Sequence, residues 1–391
     1  MKRNASILLS LCTFWFLSIA IISQPVIAED VIKIGAAQNI TGPLAFAGTK
    51  IHEGLWDYIK FTNEKGGVRG KKLEYIYEDS GNKVDESVAI FKRIMAKDNP
   101  LLYFGDSTGA GKALAPLIRE RYNVFYGTAS FSSELADPEK NPHIFIMGPT
   151  YSDMFGVILK HIAQAKPGAK VGFFYSDSEF GKDPIPFGMK LAKELGLEVV
   201  VDLIGKSGDI DMTPAVIELK RKKPDYLLLQ GFVVSPIPAL LKGCRDMGVK
   251  LIPMATVYGM AEMVLEQLGP LAEGYCGAMP YTYHWYDVPA IREMKAFSTK
   301  HNLGQRYQNN SYSQGWFSGM IFVECINRAI KAGKLDRDGL LEALKSIKNW
   351  DAGGLTAPVT YKNNKIPVAK IWRANVQKKV FEPVSDWIYV D

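Results

Sequence analysis

The sequence is poor in the residues that build metal centres and disulfide frameworks. It has four cysteines and five histidines in 391 residues, and Cys12 falls within an apolar N-terminal run. The other three, Cys244, Cys276 and Cys325, are odd in number and lack metal-ligand spacing, so at most one disulfide can form among them. HEGLW (52–56) lacks the second histidine of a zinc motif. We therefore expect ordinary hydrophobic cores, with no metal and no cofactor.

A strong net charge and a membrane-spanning apolar run are also missing. Lys2 and Arg3 precede an apolar run over 7–22 and a small-residue site ending at Ala28, a pattern that predicts a secretory signal peptide over 1–28, cleaved after Ala28. A membrane anchor is the alternative, but the run is shorter than the ~20 residues a spanning helix needs. Cleavage would leave 45 cations and 41 acids, a net charge of +4. That charge is too mild to indicate nucleic-acid binding. The signal peptide predicts export, and we expect the exported protein to be a periplasmic monomer.

Extended and helical patterns alternate along most of the chain, and this alternation predicts an α/β fold of doubly wound parallel sheets. The predicted strands cover 31–37, 73–79, 101–104, 123–128, 143–147, 170–175, 197–203, 225–231, 250–256 and 274–281. The C-terminal part of the chain departs from this alternation. Its predicted helices cover 289–302, 311–332 and 338–347, and its predicted short strands cover 355–361, 366–373 and 379–390.

The stretch FGDSTGAGKALAP (104–116) follows the third predicted strand and is compatible with three chemistries. Gly105 to Gly109 fits the G-x-S-x-G of a serine hydrolase. Gly111 and Lys112 come close to a phosphate-binding P-loop. The third interpretation is a hydroxyl-rich helix start whose free N–H groups hold a carboxylate.

Two of these chemistries meet obstacles in the sequence. A P-loop requires glycine at Asp106 and a hydroxyl residue at Ala113, and an anionic Asp106 would repel phosphate. A hydrolase requires an acid and then a histidine downstream. Asp287 and His301 have this order, but nothing around His301 marks it as catalytic. The helix start remains, with Ser107 or Thr108 as a plain N-cap in the simplest case.

Longer motifs carry a family resemblance. The segment from VIKIGAAQNITGP to KKLEYIYED, then FGDSTGAGKALAPL, YSDSEFGKD and the GVK strand lead at 248–250 together resemble periplasmic leucine/isoleucine/valine-type solute-binding proteins of ABC importers. The resemblance covers nearly the whole mature chain. It implies two α/β lobes joined by three crossings, with the ligand cleft between them. One lobe would comprise 29–147 plus 281–353, and the other 148–280 plus 354–391.

The resemblance also implies site residues. In that family the ligand's carboxylate is held at the helix start that matches Ser107 and Thr108. The ammonium of an amino acid is held by a carbonyl, a hydroxyl and a carboxylate. Ala129, next to Ser130, matches the carbonyl position, but Phe131 stands at the hydroxyl position and the stretch near Val257 contains no acid. A buried ammonium without counter-charge costs several kcal/mol, so this departure disfavours an α-amino acid.

Aromatic residues fall where the family's side-chain pocket lies. These are Phe46, Phe180 and Phe232, although each could equally be ordinary core packing. The prediction is a non-enzymatic binding protein for a small apolar or aromatic carboxylate that delivers its ligand to an ABC permease. Three alternatives stay open: a true branched-chain amino acid binder, a secreted sensor module, and a secreted serine hydrolase using Ser107.

Overall fold

The computed structural model describes residues 31–105, 107–206 and 208–390. The predicted signal peptide and its cleavage after Ala28 lie outside these ranges, and so does Asp106. Within them, no helix combines the length and the apolarity that crossing a membrane requires.

Strands and helices alternate as the hydrophobic patterns predict. The strands are β1 Ile32–Gln38, β2 Leu73–Asp79, β3 Leu102–Gly105, β4 Phe125–Thr128, β5 Ile144–Ile146, β6 Lys170–Ser176, β7 Glu198–Gly205, β8 Tyr226–Gln230, β9 Ile252–Ala255, β10 Cys276–Met279, β11 Val368–Asn375, β12 Val380–Pro383 and β13 Ile388–Tyr389. The helices are α1 Ala45–Glu64, α2 Val84–Lys97, α3 Thr108–Leu117, α4 Tyr151–Ala165, α5 Glu179–Lys182, α6 Ile185–Glu194, α7 Thr213–Lys222, α8 Ile237–Asp246, α9 Glu262–Leu268, α10 Pro289–Lys300, α11 Asn310–Lys331 and α12 Arg337–Lys345.

The first sheet is entirely parallel, in the order β2-β1-β3-β4-β5. Strands β3, β4 and β5 are buried along their whole length, as expected when helices cover both faces of a parallel sheet. The strand order reverses between β1 and β3. At such a reversal the connections leave on opposite sides, which opens a crevice at the carboxyl ends of the strands.

The second sheet repeats this topology. Its parallel part runs β7-β6-β8-β9-β10, with the reversal between β6 and β8. Strands β11 and β12 extend the β10 edge in antiparallel fashion, and β13 pairs with β11. The predicted fold class of two doubly wound α/β lobes is confirmed, with an antiparallel edge added by the C-terminal strands.

The chain passes between the two sheets three times. After β5 it enters α4, which packs on β10 and β11, and after β10 it returns to α11, which packs along α1. After α12 it enters β11 of the second sheet. We call the first sheet with α1–α3 and α10–α12 the first lobe, and the second sheet with α4–α9 the second lobe. The predicted bounds, 29–147 plus 281–353 and 148–280 plus 354–391, stay a prediction.

Helices α1 and α11 touch through their backbones, and glycines permit this approach. A Cβ on Gly315 would lie 2.0 Å from the Ile51 carbonyl oxygen, and a Cβ on Gly54 would lie 2.1 Å from the Tyr312 carbonyl oxygen. Neither distance can be tolerated without moving a helix. The contact therefore fixes the first turns of α11 against α1.

One predicted strand is wrong. Residues 355–361 form bends and irregular backbone, with a single isolated bridge at Val359. Gly353 and Gly354 precede them with positive φ, and Pro358 has no N–H to donate to a ladder. The segment therefore connects the lobes instead of joining a sheet.

Candidate functional site

A cavity of about 450 Å³ lies between the two lobes. Its walls are formed largely by residues that follow the carboxyl ends of β1, β3 and β4 in the first lobe and of β6, β8 and β9 in the second. Doubly wound sheets bind their ligands at this edge, and here two such edges face each other. The volume is within the roughly 300–1,000 Å³ typical of small-molecule sites.

Hydroxyl groups line one end of the cavity. Ser107 caps α3, with its Oγ accepting from the Ala110 N–H at 3.4 Å. The Thr108 and Ser130 hydroxyl oxygens lie 2.7 Å apart, and both side chains are buried. The first N–H groups of a helix have no intrahelical acceptor and carry partial positive charge. Hydroxyls and N–H groups together make this end suitable for a carboxylate.

The phenol of Tyr151 completes this end. Tyr151 lines the cavity and is only 1% exposed. Burial raises the pKa of Tyr151 well above its ordinary value, so the phenol stays protonated and can donate. A capping box at the start of α4 sets its position: Thr150 Oγ1 accepts from the Asp153 N–H at 3.0 Å, and Asp153 Oδ2 accepts from the Thr150 N–H at 2.9 Å.

The rest of the wall is mainly apolar. The Phe180 ring lies 5.1 Å from the Tyr151 ring and 5.5 Å from the Tyr258 ring, measured between centroids. Gln230 Nε2 donates to the Phe180 carbonyl at 2.9 Å and holds this loop in place. The first lobe contributes Pro43, Leu44, Ala47, Ile51 and Val84. An apolar or aromatic body can bury its surface between these two faces.

The carbonyl of Ala129 is saturated by protein donors. The Tyr258 hydroxyl donates to it at 2.7 Å, and Gln314 Nε2 donates to it at 3.1 Å. All three residues are buried. A carbonyl oxygen has two lone pairs, so both of its acceptor positions are used. Because Tyr258 belongs to the second lobe and the other two to the first, the same contact also joins the lobes.

Two carboxylates line the cavity where it opens to solvent. The Asp177 and Glu179 side chains are 54% and 57% exposed. Asp177 pairs with Lys182, and Glu179 pairs with Lys112 at 2.9 Å. Each acid contacts a lysine, although Lys112 also contacts Glu134 and Asp183, and water screens both exposed carboxylates. They therefore do not provide a buried counter-charge for a cationic ligand.

The structure brings several predicted site residues together. Those in the cavity wall are Ser107, Thr108, Ser130 and Phe180. Ala129 directly precedes Ser130, and its carbonyl is bonded as described above. Phe131 is fully buried, with its ring 5.8 Å from the Tyr151 ring and 6.0 Å from the Tyr258 ring. It supports two wall residues from behind.

Three other predicted residues are not in the wall. Phe46 is 58% exposed in the first turn of α1. Phe232 is buried and stacks on Phe174 at 5.0 Å between centroids. Val257 is buried beside Tyr258. As ligand contacts, these three residues stay predictions.

Sequence reasoning missed Tyr151, Tyr258 and Gln314. Tyr258 lies in the stretch near Val257 that contains no acid, and its phenol donates to the Ala129 carbonyl. The Thr150-x-x-Asp153 pattern is a recognisable capping box and could have marked Tyr151 as the first residue of α4. Gln314 lies 185 residues from Ala129 in the chain, and no local pattern connects them.

The wall offers little for catalysis. None of its described residues is a histidine or a cysteine, so Ser107 has no imidazole base beside it. No three His, Cys, Asp or Glu side chains of the described chain are grouped as a metal site would require. The cysteines at 244, 276 and 325 are buried free thiols.

Comparison with known proteins identifies a matching family model, distant relatives in sequence and similar folds. The family model described as periplasmic binding protein matches residues 31–380. Leu/Ile/Val-binding protein homolog 7 of Brucella abortus (strain 2308) is 26% identical over 213 residues, which are 51% of this chain and 52% of that protein. The chain thus spans about half the length of that relative. Homolog 8 of the same strain is 23% identical over 335 residues, 81% of this chain and 80% of that protein.

Two solved structures extend the similarity to the whole fold. A branched-chain amino acid ABC transporter protein from Thermus thermophilus, with bound valine, has a TM-score of 0.86 and 25% identity, covering 93% of this chain and 97% of its own. A fatty acid ABC transporter substrate-binding protein from Thermomonospora curvata has a TM-score of 0.80 and 23% identity, covering 93% of each chain. The second likeness concerns the fold alone.

Proposed function

The chain belongs to the periplasmic binding protein family, and we propose that it is the extracytoplasmic solute-binding component of a branched-chain-amino-acid-type ABC importer. Its ligand is a small carboxylate with an apolar or aromatic body and without an α-amino group. The protein binds this ligand without catalysis and presents it to a permease in the membrane. The observation that carries the ligand assignment is the saturated carbonyl of Ala129.

The position of an α-ammonium explains why this carbonyl matters. The nitrogen of an amino acid is two bonds from the carboxylate carbon, so it must find acceptors beside the hydroxyl end of the cavity. Ala129 O is already taken there, and Phe131 and Val257 have no polar side-chain atoms. An ammonium buried without partners costs several kcal/mol. An acid that lacks the amino group avoids this cost.

The cavity offers several hydrogen-bond donors to a negatively charged carboxylate. A carboxylate between Thr108, Ser130 and Tyr151 would meet hydroxyl donors and the N-terminus of α3. Hydrogen bonds to a charged group contribute about 1.5–3 kcal/mol each. The apolar surface around Phe180 and Leu44 then selects for the ligand body.

Both lobes contribute to the cavity, and this explains how ligand binding stabilises closure. Thr108 and Ser130 come from the first lobe, whereas Tyr151 and Phe180 come from the second. A ligand that contacts all four binds the closed arrangement better than an open one, and it shifts the population by that difference in affinity. The closed form is then the form that a permease recognises.

Branched-chain amino acid binding is the second candidate. The Thermus thermophilus protein with bound valine favours it, at 25% identity over 93% of this chain. A serine hydrolase using Ser107 has less support, because no histidine lies among the described wall residues. Labelling of Ser107 by a fluorophosphonate would support the serine hydrolase instead.

A thermal-shift screen tests the proposal. The panel pairs L-leucine, L-isoleucine and L-valine with benzoate, 3-phenylpropanoate and 4-methylpentanoate. We expect the acids to raise the melting temperature, because binding to the folded state alone stabilises it by mass action, and we expect the amino acids to have little effect. Stabilisation by leucine without any response to the acids would establish the second candidate instead.

A further inference from the structure

A second set of contacts joins the lobes beside the cavity, and it centres on Asp183. This residue follows α5 in the second lobe, and its side chain is 4% exposed. Asp183 Oδ2 accepts from Ser132 Oγ at 2.5 Å, and Asp183 Oδ1 accepts from the Ser133 N–H at 3.1 Å. Both serines belong to the first lobe, in the segment after β4. The buried carboxylate thus takes its hydrogen bonds across the interlobe boundary.

Lys112 of α3 adds the opposite charge from the first lobe. Its Nζ lies 3.6 Å from Asp183 Oδ2, 2.9 Å from Glu179 Oε2 and 3.1 Å from Glu134 Oε2. The Lys112 side chain is itself largely buried. Separating the lobes would remove both serine donors and this lysine from Asp183. These contacts therefore exist only when the lobes are together.

Hydrogen bonds connect this contact to the hydroxyl end of the cavity. Ser132 does not line the cavity, but its N–H donates to Ser130 Oγ at 3.2 Å. Ser130 Oγ in turn lies 2.7 Å from Thr108 Oγ1. The path Asp183–Ser132–Ser130–Thr108 is continuous from the interlobe contact to the groups that face a carboxylate. Such networks hold their members in fixed orientations.

We propose that Asp183 is a positioning residue that couples ligand binding to closure of the lobes. Asp183 fixes Ser132, the Ser132 N–H orients the Ser130 hydroxyl, and the same contact brings Tyr151 and Phe180 against the ligand. The ligand part of this inference rests on the proposed function. Interactions that form only in the closed state act mainly on the rate at which the ligand leaves.

Stopped-flow fluorescence with 3-phenylpropanoate as the probe tests this coupling. Asp183→Ala should raise the dissociation rate by about tenfold or more, the equivalent of losing a hydrogen bond to a charged group, with little change in the association rate. Asp183→Asn keeps an acceptor for the Ser133 N–H and should have an intermediate effect. Ser132→Ala breaks the same path from the first lobe, so combining it with Asp183→Ala should add little.

Glu194→Gln is the matched control. Glu194 is an exposed acid of α6 in the same lobe and pairs with Lys190 of its own helix at 3.8 Å, so its removal should leave both rates unchanged. Dissociation rates of Asp183→Ala equal to those of the wild type would overturn the inference. Equal rises in Asp183→Ala and Glu194→Gln would overturn it as well, because they would indicate a general charge effect.

Small-angle X-ray scattering separates this inference from the proposed function. Asp183→Ala and Ser132→Ala should both have a larger radius of gyration than the wild type, since the closed population falls. If 3-phenylpropanoate does not bind the wild type, the ligand assignment fails and scattering alone decides the role of Asp183. Identical radii in all variants would then overturn it.

Discussion

Replacing Thr108 by valine is expected to weaken the binding of a carboxylate ligand by about 10- to 100-fold, the range that follows from losing a hydrogen bond to a charge. Valine keeps the shape of threonine, so the cavity should retain its form. The substitution removes the donor at the start of α3 and also leaves the Ser130 hydroxyl without its partner at 2.7 Å. The two losses act on the same charged group of the ligand.

Titration calorimetry with 3-phenylpropanoate measures this effect, and Thr213→Val is the matched control. Thr213 is the first residue of α7, as Thr108 is of α3, but it is exposed and does not line the cavity. The control should bind like the wild type. An unchanged affinity in Thr108→Val would mean that the carboxylate does not bind at the start of α3.

The second large effect concerns stability. Gly315→Ala is expected to destabilise the protein by about 2 kcal/mol or more, because overpacking a tight contact costs roughly 1–3 kcal/mol and occasionally more. The new methyl group would lie 2.0 Å from the Ile51 carbonyl oxygen. The substitution would push α11 away from α1, and Gln314 with it.

Gly156→Ala should change the stability of the protein in the opposite direction. Gly156 lies within α4, and a Cβ there would meet Leu191 and Phe187 at 3.8 Å, which is ordinary contact. Alanine is favoured over glycine in a helix by about 1 kcal/mol, so this variant should melt at or above the wild-type temperature. Calorimetric melting of both variants decides the point. A Gly315→Ala protein that melts with the wild type would mean that the two helices are not held in backbone contact.

Local patterns were sufficient to predict most of the fold. Strand β2 is found at the predicted 73–79, because its β-prone residues Tyr75, Ile76 and Tyr77 lie between turns at Gly70 and Gly81. The predicted strand at 355–361 failed because Pro358 and the two preceding glycines override β propensity. The antiparallel edge of the second sheet could not be predicted from local patterns, because it depends on the pairing of β11 with β10, which are far apart in the sequence.

The part of the cavity wall that lies at a helix start was predictable from the sequence. Ser107 and Thr108 follow β3, at the edge where a doubly wound sheet places its ligand, so sequence and structure agree on their position. The bonds of Tyr258 and Gln314 to Ala129 bring together three distant parts of the chain. From the absent acid and hydroxyl, the sequence predicts that an ammonium site is missing, but it does not predict that the Tyr258 phenol donates to the Ala129 carbonyl.

The preference for a carboxylate without an α-ammonium is tested most directly by the ratio of two dissociation constants, measured by titration calorimetry on the wild type for 3-phenylpropanoate and L-phenylalanine. The two ligands share a skeleton and differ by the α-ammonium group alone. We predict that the acid binds about 100-fold more tightly or better, the equivalent of roughly 2.7 kcal/mol or more for an unpaired buried ammonium. Equal or tighter binding of the amino acid would contradict it.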